Sequence, residues 1–195
     1  MPGRGQPLNR SSARFIITLV EPIELNIRPA AEADLEAMNT IYNAEIATGT
    51  ATWDVTPWTL DQRRAWFAGH DALNPVLVAE AGGELAGFAY VTLVSQKHGW
   101  RFTREDTIYI DERFRGRRVG DRLLAALLGE LRALGVRLVV ASITSSNEAS
   151  LRLHARHGFV PVGEMRNAGH KFGRWLSTTY LQLDLGEPSP ERPIW

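Results

Sequence analysis

The sequence predicts a single mixed α/β (α+β) domain in which one β-sheet is flanked by helices. Short apolar runs typical of strands alternate with stretches in which apolar residues recur every three or four positions. The 195 residues are enough for one substantial core. The predicted order is strand, two helices, three strands, helix, strand, helix and two strands, which is typical of a mixed sheet with helices packed on it.

The element boundaries follow from where each period begins and ends. Strands are predicted at residues 25–28, 76–80, 85–93, 103–111, 138–143, 159–164 and 178–185. Helices are predicted at residues 35–46, 59–70, 119–134 and 147–157.

Local signals support several of these elements. Thr59 and Gln62 form a capping-box pattern at the start of the second helix. Gly82 and Gly83 lie between two strands and are a strong hairpin signal. The third helix carries apolar residues on one face and ends at Gly135, whereas the continuous apolar run that follows it predicts a buried strand.

The two ends of the chain differ in composition from the middle. Residues 1–24 are predicted to be an N-terminal extension, in which residues 15–20 could add a strand. Residues 186–195 have proline at alternating positions and are predicted to form an extended tail. The domain itself is therefore expected at residues 25–185.

Charge and composition argue against several classes of protein. The formal net charge is zero, from 22 basic and 22 acidic side chains, which argues against a general nucleic-acid binder. There is no cysteine, so a disulfide framework and a thiolate metal site are excluded. The apolar run at residues 15–20 is too short for a signal peptide or a membrane span, so we expect a cytoplasmic protein without a membrane partner.

The junction between the fourth predicted strand and the third helix has the features of an anion site. Gly116 and Gly120 allow close approach to the backbone, and the first turn of a helix offers unpaired N–H groups. Five arginines surround this turn, at positions 113, 115, 117, 118 and 122. Because arginine in the first turn opposes the helix dipole, the cluster favours phosphate binding. A solvated basic helix start and a nucleic-acid patch remain alternatives.

This junction resembles a known family signature. The segment Arg115-Gly-Arg-Arg-Val-Gly120 is similar to the (Arg/Gln)-x-x-Gly-x-(Gly/Ala) loop of the GNAT superfamily of N-acetyltransferases, which grips acetyl-CoA. It departs from that loop at Arg118, where glycine is usual, and the backbone donors survive this change if φ at Arg118 is negative. The segment from Asn147 to Phe159 resembles a second motif of the superfamily. Residues 26–185 are most similar to the phosphinothricin and methionine sulfone acetyltransferase group.

The resemblance implies a fold and a cofactor site. The fold would be a mostly antiparallel twisted sheet of six to seven strands flanked by about four helices, with two central strands splayed apart. Acetyl-CoA would be the cosubstrate, no metal would be needed, and the protein would be a homodimer. The implied cofactor-binding residues are Ile108, Tyr109, Ile110, Arg115, Gly116, Arg117, Arg118, Val119, Gly120, Asp121 and Asn147.

Acetyl transfer to an amine requires a base, an oxyanion donor and, for the departing thiolate, an acid. Glu105 precedes the phosphate loop on the same strand and is the candidate base; an exposed strand carboxylate is the alternative. His154 is the candidate acid, and a packed core histidine is its alternative. Asn147 could line the ligand or simply cap its helix. By resemblance, the backbone of residues 108–110 supplies the oxyanion donor.

Substrate contacts are implied by the same resemblance and are less specific. They are Ser95, Gln96, Lys97, Glu105, Asp106, Thr107 and Lys171. His154 and His157 are three residues apart without further ligands nearby, so no metal site is predicted.

The sequence therefore predicts an acetyl-CoA-dependent N-acetyltransferase that acts on the α-amino group of a small amino-acid-like substrate. The alternatives within enzymes are acetylation of a protein N-terminus, a polyamine or an aminoglycoside. Outside enzymes, the alternatives are a coenzyme A-binding regulator without catalytic activity and a nucleic-acid binder, for which a steep salt dependence of DNA binding would be expected.

Overall fold

The computed structural model describes residues 23–187, which fold around one sheet of seven strands. The strands are β1 (Asn26–Pro29), β2 (Val76–Ala81), β3 (Glu84–Leu93), β4 (Thr103–Ile110), β5 (Leu138–Thr144), β6 (Val160–Lys171) and β7 (Arg174–Asp184). The α-helices of this range are α1 (Leu35–Thr48), α2 (Leu60–Ala68), α3 (Val119–Ala133) and α4 (Glu148–Arg156). The predicted fold class and order of elements are confirmed.

The centre of the sheet contains a gap. The strand order is β1-β2-β3-β4-β5-β7-β6, and β4 and β5 are parallel whereas the other neighbouring pairs are antiparallel. The β4–β5 ladder joins Thr103–Asp106 only to residues 138–141. Beyond Asp106, β4 continues along β3 and β5 continues along β7. The predicted splay is thus confirmed, and it leaves backbone groups along the gap without a ladder partner.

The larger part of the core lies on the α3 side of the sheet. The apolar face of α3 is buried, as its spacing predicts, at Val119, Leu123, Leu124, Leu127, Leu128 and Leu131. It packs against β2, β3 and β4, and its apolar residues share one core cluster with Ala79, Ala89 and Val91 of the sheet. Burial of each such side chain contributes roughly 1.5–3 kcal/mol, so this face anchors the start of α3 firmly against the sheet.

A buried arginine organises the core on the other side of the sheet. The Arg63 guanidinium lies 4.6, 4.5 and 4.7 Å from the ring centroids of Tyr42, Trp58 and Trp66. Its Nε donates to Asn39 Oδ1 at 3.4 Å, and only 1% of the residue is exposed. Aromatic faces thus supply the electrostatic attraction that a carboxylate would otherwise give. Trp58 and Trp66, two of the six tryptophans, are therefore partly buried residues that pack against this core.

The last two strands are longer than the sequence predicts. Strands were expected at 159–164 and 178–185, but β6 and β7 run on to meet at a tight turn through Phe172 and Gly173, with φ of 51° and 72°. The prediction fails because most of β6 is exposed, so its extension shows no alternation of apolar and polar residues. The hairpin at Gly82 and Gly83 is confirmed, with φ of 59° and 84°.

The predicted boundaries of the domain stay predictions. The strand predicted at residues 15–20 and most of the proline-rich tail lie outside the described residues. The second helix ends at Ala68, slightly before its predicted end.

Candidate active site

A cleft of about 1390 Å³ opens where β4 and β5 diverge. We call its two parts the helix end and the strand end. The helix end is lined by the loop before α3, the first turn of α3 and one face of α4. The strand end is lined by Trp53, Glu105, Thr107, Ser142, Thr144, Met165, Thr178 and Tyr180.

The loop before α3 has the tight conformation that a glycine-rich loop would adopt. Gly116 has φ of 76°, and Arg118, the N-cap of α3, has φ of 61° and ψ of 18°. The condition of a negative φ at Arg118 is not met: the arginine takes the left-handed conformation that a glycine would adopt, at a cost of roughly 1–2 kcal/mol. This geometry keeps the unpaired N–H groups of Val119, Gly120 and Asp121 in the first turn of α3, beside the cleft.

Gly120 also sets the distance between two helices. A Cβ at this position would lie 3.1 Å from Leu153 Cδ2, which is closer than ordinary van der Waals contact. The missing side chain therefore lets α4 approach the first turn of α3. Both helices can then face the same ligand.

The five arginines around the start of α3 make different contacts. Arg113 forms ion pairs with two carboxylates, and Arg122 donates to two backbone carbonyls that precede β1, so both stabilise the fold. Arg115 pairs with a glutamate of α1 at 3.1 Å. Arg117 and Arg118 form no ion pair with any residue between 23 and 187. Arg118 lines the cleft and is available to an anion there, whereas Arg117 lies 6.0 Å from the Phe114 ring centroid and is absent from the cleft lining.

Asp121 and Asn147 contribute differently from what the motif alone suggests. Both oxygens of the Asp121 carboxylate accept from the Arg156 guanidinium at 2.9–3.0 Å, so only its backbone N–H is left for a ligand. Asn147 Oδ1 accepts from Ser150 N at 3.1 Å and caps α4. Asn147 therefore caps α4, and it also lines the cleft.

Glu105 is half-buried at the strand end of the cleft, next to the gap between β4 and β5. Burial raises the pKa of its carboxyl above the ordinary value, and the neighbouring charge of Asp106 raises that pKa further. The carboxylate accepts no hydrogen bond from the residues that the structure describes. A carboxylate with a raised pKa and free oxygens is suited to accept a proton.

Asp106 differs from its expected role. The resemblance implies that it contacts substrate, and both Asp106 and His154 line the cleft, but the Asp106 side chain is fully buried on the opposite face of β4 from Glu105. Its Oδ2 lies 3.0 Å from His154 Nε2, and its Oδ1 has no hydrogen-bond partner among residues 23–187. The second ring nitrogen of His154, Nδ1, bonds Ser150 O at 2.8 Å. His154 is therefore buried and bonded to the protein through both nitrogens.

Lys171 also differs from its expected role in substrate binding. Only 2% of the residue is exposed, and its Nζ donates to Thr52 O at 2.8 Å and to Glu45 O at 3.5 Å. It fastens the β6–β7 hairpin to the loop after α1. Burial lowers its pKa, although nearby carboxylates oppose this.

The loop after β3 does not reach the cleft in this chain. Ser95, Gln96 and Lys97 are absent from the cleft lining, and their hydrogen bond from Lys97 N to Ser95 Oγ is internal to the loop. Arg104, directly before Glu105, is buried and donates to backbone carbonyls, so it does not change the charge of the cleft.

Sequence reasoning missed much of the strand end. Trp53 packs against the backbone of Gly169 and donates from Nε1 to Thr144 Oγ1 at 2.8 Å. Ser142 of β5 and Tyr180 of β7 face each other in the ladder and line the same surface. The polar positions in β5 and β7 alternate with apolar ones, and this alternation was the available signal.

Comparison with known proteins agrees with this geometry. Residues 38–159 match the model of the Acetyltransferase (GNAT) family, which covers more than half of the chain. The chain belongs to this family. The splayed strands and the loop before α3 are thus those of a GNAT acetyltransferase.

The chain is similar along most of its length to acetyltransferases of known substrate and to a solved structure. This acetyltransferase is 41% identical over 170 residues to the L-methionine sulfoximine/L-methionine sulfone acetyltransferase of Pseudomonas paraeruginosa, covering 86% of this chain and 98% of the relative. It is 39% identical over 161 residues to the phosphinothricin N-acetyltransferase of Alcaligenes faecalis, covering 82% of each. A structure of yncA from Salmonella typhimurium with acetyl-CoA has a TM-score of 0.81 and 37% identity, covering 85% and 98% of the two chains.

Two further findings concern the described part of this acetyltransferase. Between residues 23 and 187, no helix is long and apolar enough to span a membrane. The same range holds no group of three or more histidine, aspartate or glutamate side chains arranged to bind a metal.

Proposed function

We propose that this acetyltransferase transfers the acetyl group of acetyl-CoA to the α-amino group of a small L-amino acid. The side chain of that amino acid would carry a polar, tetrahedral group, as methionine sulfone, methionine sulfoximine and phosphinothricin do. The observation that carries this proposal is Glu105, a carboxylate without a hydrogen-bond donor among the described residues and with a raised pKa, at the gap on the strand that leads into the phosphate loop. The identity of about 40% to relatives with these names supports the substrate class.

The residues of the helix end fit coenzyme A. The first-turn N–H groups of α3 and the cation of Arg118 are suited to the pyrophosphate, and the chain stays tight there because Arg118 is left-handed. Asn147 and the start of α4 line the path from the pyrophosphate toward the gap. Acetyl-CoA supplies the thioester carbonyl that the amine attacks.

Groups at the strand end of the cleft carry out the chemical step. Glu105 takes a proton from the substrate ammonium, directly or through water, and the neutral amine then attacks the thioester carbon. A backbone N–H of residues 108–110 that faces the gap, on the side of β4 away from β3, stabilises the oxyanion that forms. The C–S bond breaks and the thiolate of coenzyme A leaves. The extra proton on the attacking nitrogen passes to the thiolate, directly or through water, and the N-acetyl product remains.

His154 has a different place in this proposal from the acid role that its position in the motif implies. Both ring nitrogens are engaged, with Asp106 and with Ser150. We therefore assign it as a positioning residue that holds α4 against β4 beside the gap.

A thiol-release assay with acetyl-CoA tests the substrate class. Acceptors should include methionine sulfone, methionine sulfoximine and phosphinothricin, each beside its own α-amide, with a peptide, a polyamine and an aminoglycoside as alternatives. We expect turnover of the free amino acids and at least about a tenfold lower kcat/KM for the amides, the scale of one lost charge-assisted contact. Equal rates for acid and amide would favour protein N-termini. Binding of coenzyme A without turnover of any amine would favour a regulator.

We also propose that the protein is a homodimer. Exposed apolar side chains cluster on the edge hairpin formed by β6 and β7, at Val160, Val162, Met165, Phe172 and Trp175. An apolar edge strand invites pairing with another chain. Light scattering at micromolar concentration should give twice the chain mass of 21.7 kDa. A mass equal to that of one chain would contradict the dimer.

A further inference from the structure

Glu45 lies where the two ends of the cleft approach each other. It belongs to the last turn of α1, and its side chain is only 10% exposed. Its Oε2 accepts from Arg115 Nη2 at 3.1 Å, on the phosphate loop. Its Oε1 accepts from Ala51 N at 2.8 Å, on the loop that follows α1. One carboxylate therefore bonds both walls of the cleft.

Helix stability alone does not favour a carboxylate at this position. The C-terminal turn of a helix carries partial negative charge, which disfavours a glutamate there. Glu45 gains its bonds only because it folds back over Gly49, where a Cβ would lie 1.7 Å from Oε1 and 2.1 Å from Cδ. Gly49 has φ of −110°, a conformation open to any residue, so glycine is needed there for space.

The loop at residues 49–54 forms a rigid wall of the strand end. The Tyr42 hydroxyl bonds Thr52 Oγ1 at 3.1 Å, and Lys171 Nζ donates to Thr52 O at 2.8 Å. Trp53 is fixed to β5 through Thr144. These bonds tie the loop to α1, β5 and β6, so the position of Ala51 helps to set the position of Trp53, two residues further on.

We propose that Glu45 is a positioning residue that couples the cofactor end of the cleft to the acceptor end. It orients the Arg115 guanidinium, whose side chain is 59% exposed, for the pyrophosphate, and it fixes the wall at residues 49–54 against which the acceptor lies. The bond to Glu45 uses Arg115 Nη2 and leaves Nη1 for a phosphate oxygen. A phosphate that binds the Arg115 guanidinium shifts the Glu45 carboxylate bonded to it. That carboxylate in turn shifts Ala51, from whose N–H it accepts a hydrogen bond. The identity of the two ligands rests on the proposed function.

The coupling can be tested without knowing the acceptor. Amide hydrogen exchange of residues 49–54 is measured with and without saturating coenzyme A, while calorimetry measures coenzyme A binding in the same samples. In the wild type, we expect coenzyme A to slow exchange in this segment. In Glu45→Gln the slowing should disappear and the Kd for coenzyme A should rise about tenfold, the scale of one charge-assisted hydrogen bond.

Two variants separate positioning from stability. Gly49→Ala leaves every charge in place but displaces the Glu45 carboxylate, so it should reproduce the lost coupling. Glu36→Gln, at an exposed position of the same helix, should behave as the wild type. In steady-state assays, Glu45→Gln should raise KM for both substrates, whereas Arg115→Gln should raise mainly the KM for acetyl-CoA.

The possible failures are distinguishable. Absence of coenzyme A binding in the wild type would overturn the proposed function itself. Normal coenzyme A binding with unchanged exchange at residues 49–54, or unchanged slowing in both Glu45→Gln and Gly49→Ala, would overturn the coupling and leave the proposed function standing.

Discussion

Asp106 Oδ2 and His154 Nε2 lie 3.0 Å apart in a pair whose side chains are 0% and 4% exposed. Asp106 is the last residue of β4 in the ladder with β5, and His154 is on α4. The pair therefore joins β4 to α4 at the point where the central strands separate. Its bonds fix how far α4 stands from the gap.

The first prediction concerns the pH dependence of stability. Burial lowers the pKa of His154, but the hydrogen bond and charge of Asp106 outweigh it, and the net pKa is above the ordinary value of 6.5. When the pKa of a histidine is higher in the folded state than in the unfolded state, its protonation stabilises the fold. This stabilisation is complete below the unfolded-state pKa and is lost as pH rises through the folded-state pKa. The unfolding free energy of the wild type relative to His154→Gln should therefore fall between slightly acid and alkaline pH. Urea unfolding at several pH values measures this, and a constant difference would contradict it.

Removing the other member of the pair should be more costly. Asp106→Ala leaves a buried imidazole without its carboxylate, and breaking a buried pair in this way costs about 3–5 kcal/mol. Chemical unfolding monitored by circular dichroism gives the change. Asp121→Ala, which removes a more exposed pair with Arg156, is the control and should cost much less, about 0–1 kcal/mol.

Glu105 should be necessary for the chemical step and dispensable for cofactor binding. Glu105→Gln keeps the shape and loses the base, so kcat/KM should fall by about 10²- to 10⁴-fold. Because the pKa of Glu105 is raised, the wild-type kcat/KM should decline as pH falls through that raised value, and the variant should not show this decline. Acetyl-CoA affinity should be unchanged by calorimetry. Near-normal rates in the variant would assign the base elsewhere.

The sequence predicts the fold far better than it predicts the details of the site. Apolar period and glycine position are local properties, so they give the order of elements, the amphipathic α3 and the hairpin at residues 82–83. The environment of a polar side chain depends on residues distant in the chain. Lys171 is bonded to a loop more than 100 residues earlier, and Asp106 to a helix 48 residues later. Neither partner can be read from spacing, so the family resemblance alone led to the expectation that both residues contact substrate.

A Lys171 variant shows whether this side chain stabilises the fold or contacts substrate. If it fastens the loop at residues 49–54, Lys171→Met leaves the backbone carbonyl of Thr52 without its donor, at about 1–3 kcal/mol for a buried acceptor, whereas Glu45 O keeps the bond from Gly49 N. The unfolding free energy should fall by this amount, and KM for the acceptor should rise. Full stability combined with loss of acceptor binding would instead support direct contact with substrate.

The last prediction separates the conformation of Arg118 from its charge. Arg118 has φ of 61° and carries a cation beside the first turn of α3, and these two properties can be changed independently. Arg118→Gly removes both the strain and the charge, whereas Arg118→Ala removes the charge and keeps the strain. Since the left-handed conformation costs an L-residue roughly 1–2 kcal/mol, the glycine variant should be more stable than the alanine variant by about 1 kcal/mol.

The two variants should nevertheless bind coenzyme A alike. Both lose one cation near the pyrophosphate, so both should bind it more weakly than the wild type at low salt, by several-fold. The difference from the wild type should shrink at high salt, because the side chain is exposed and its charge is screened. Chemical unfolding measures the first effect and calorimetry at two ionic strengths the second. If the glycine variant is no more stable than the alanine variant, the loop relaxes without cost, and the arginine at this position is there for its charge alone.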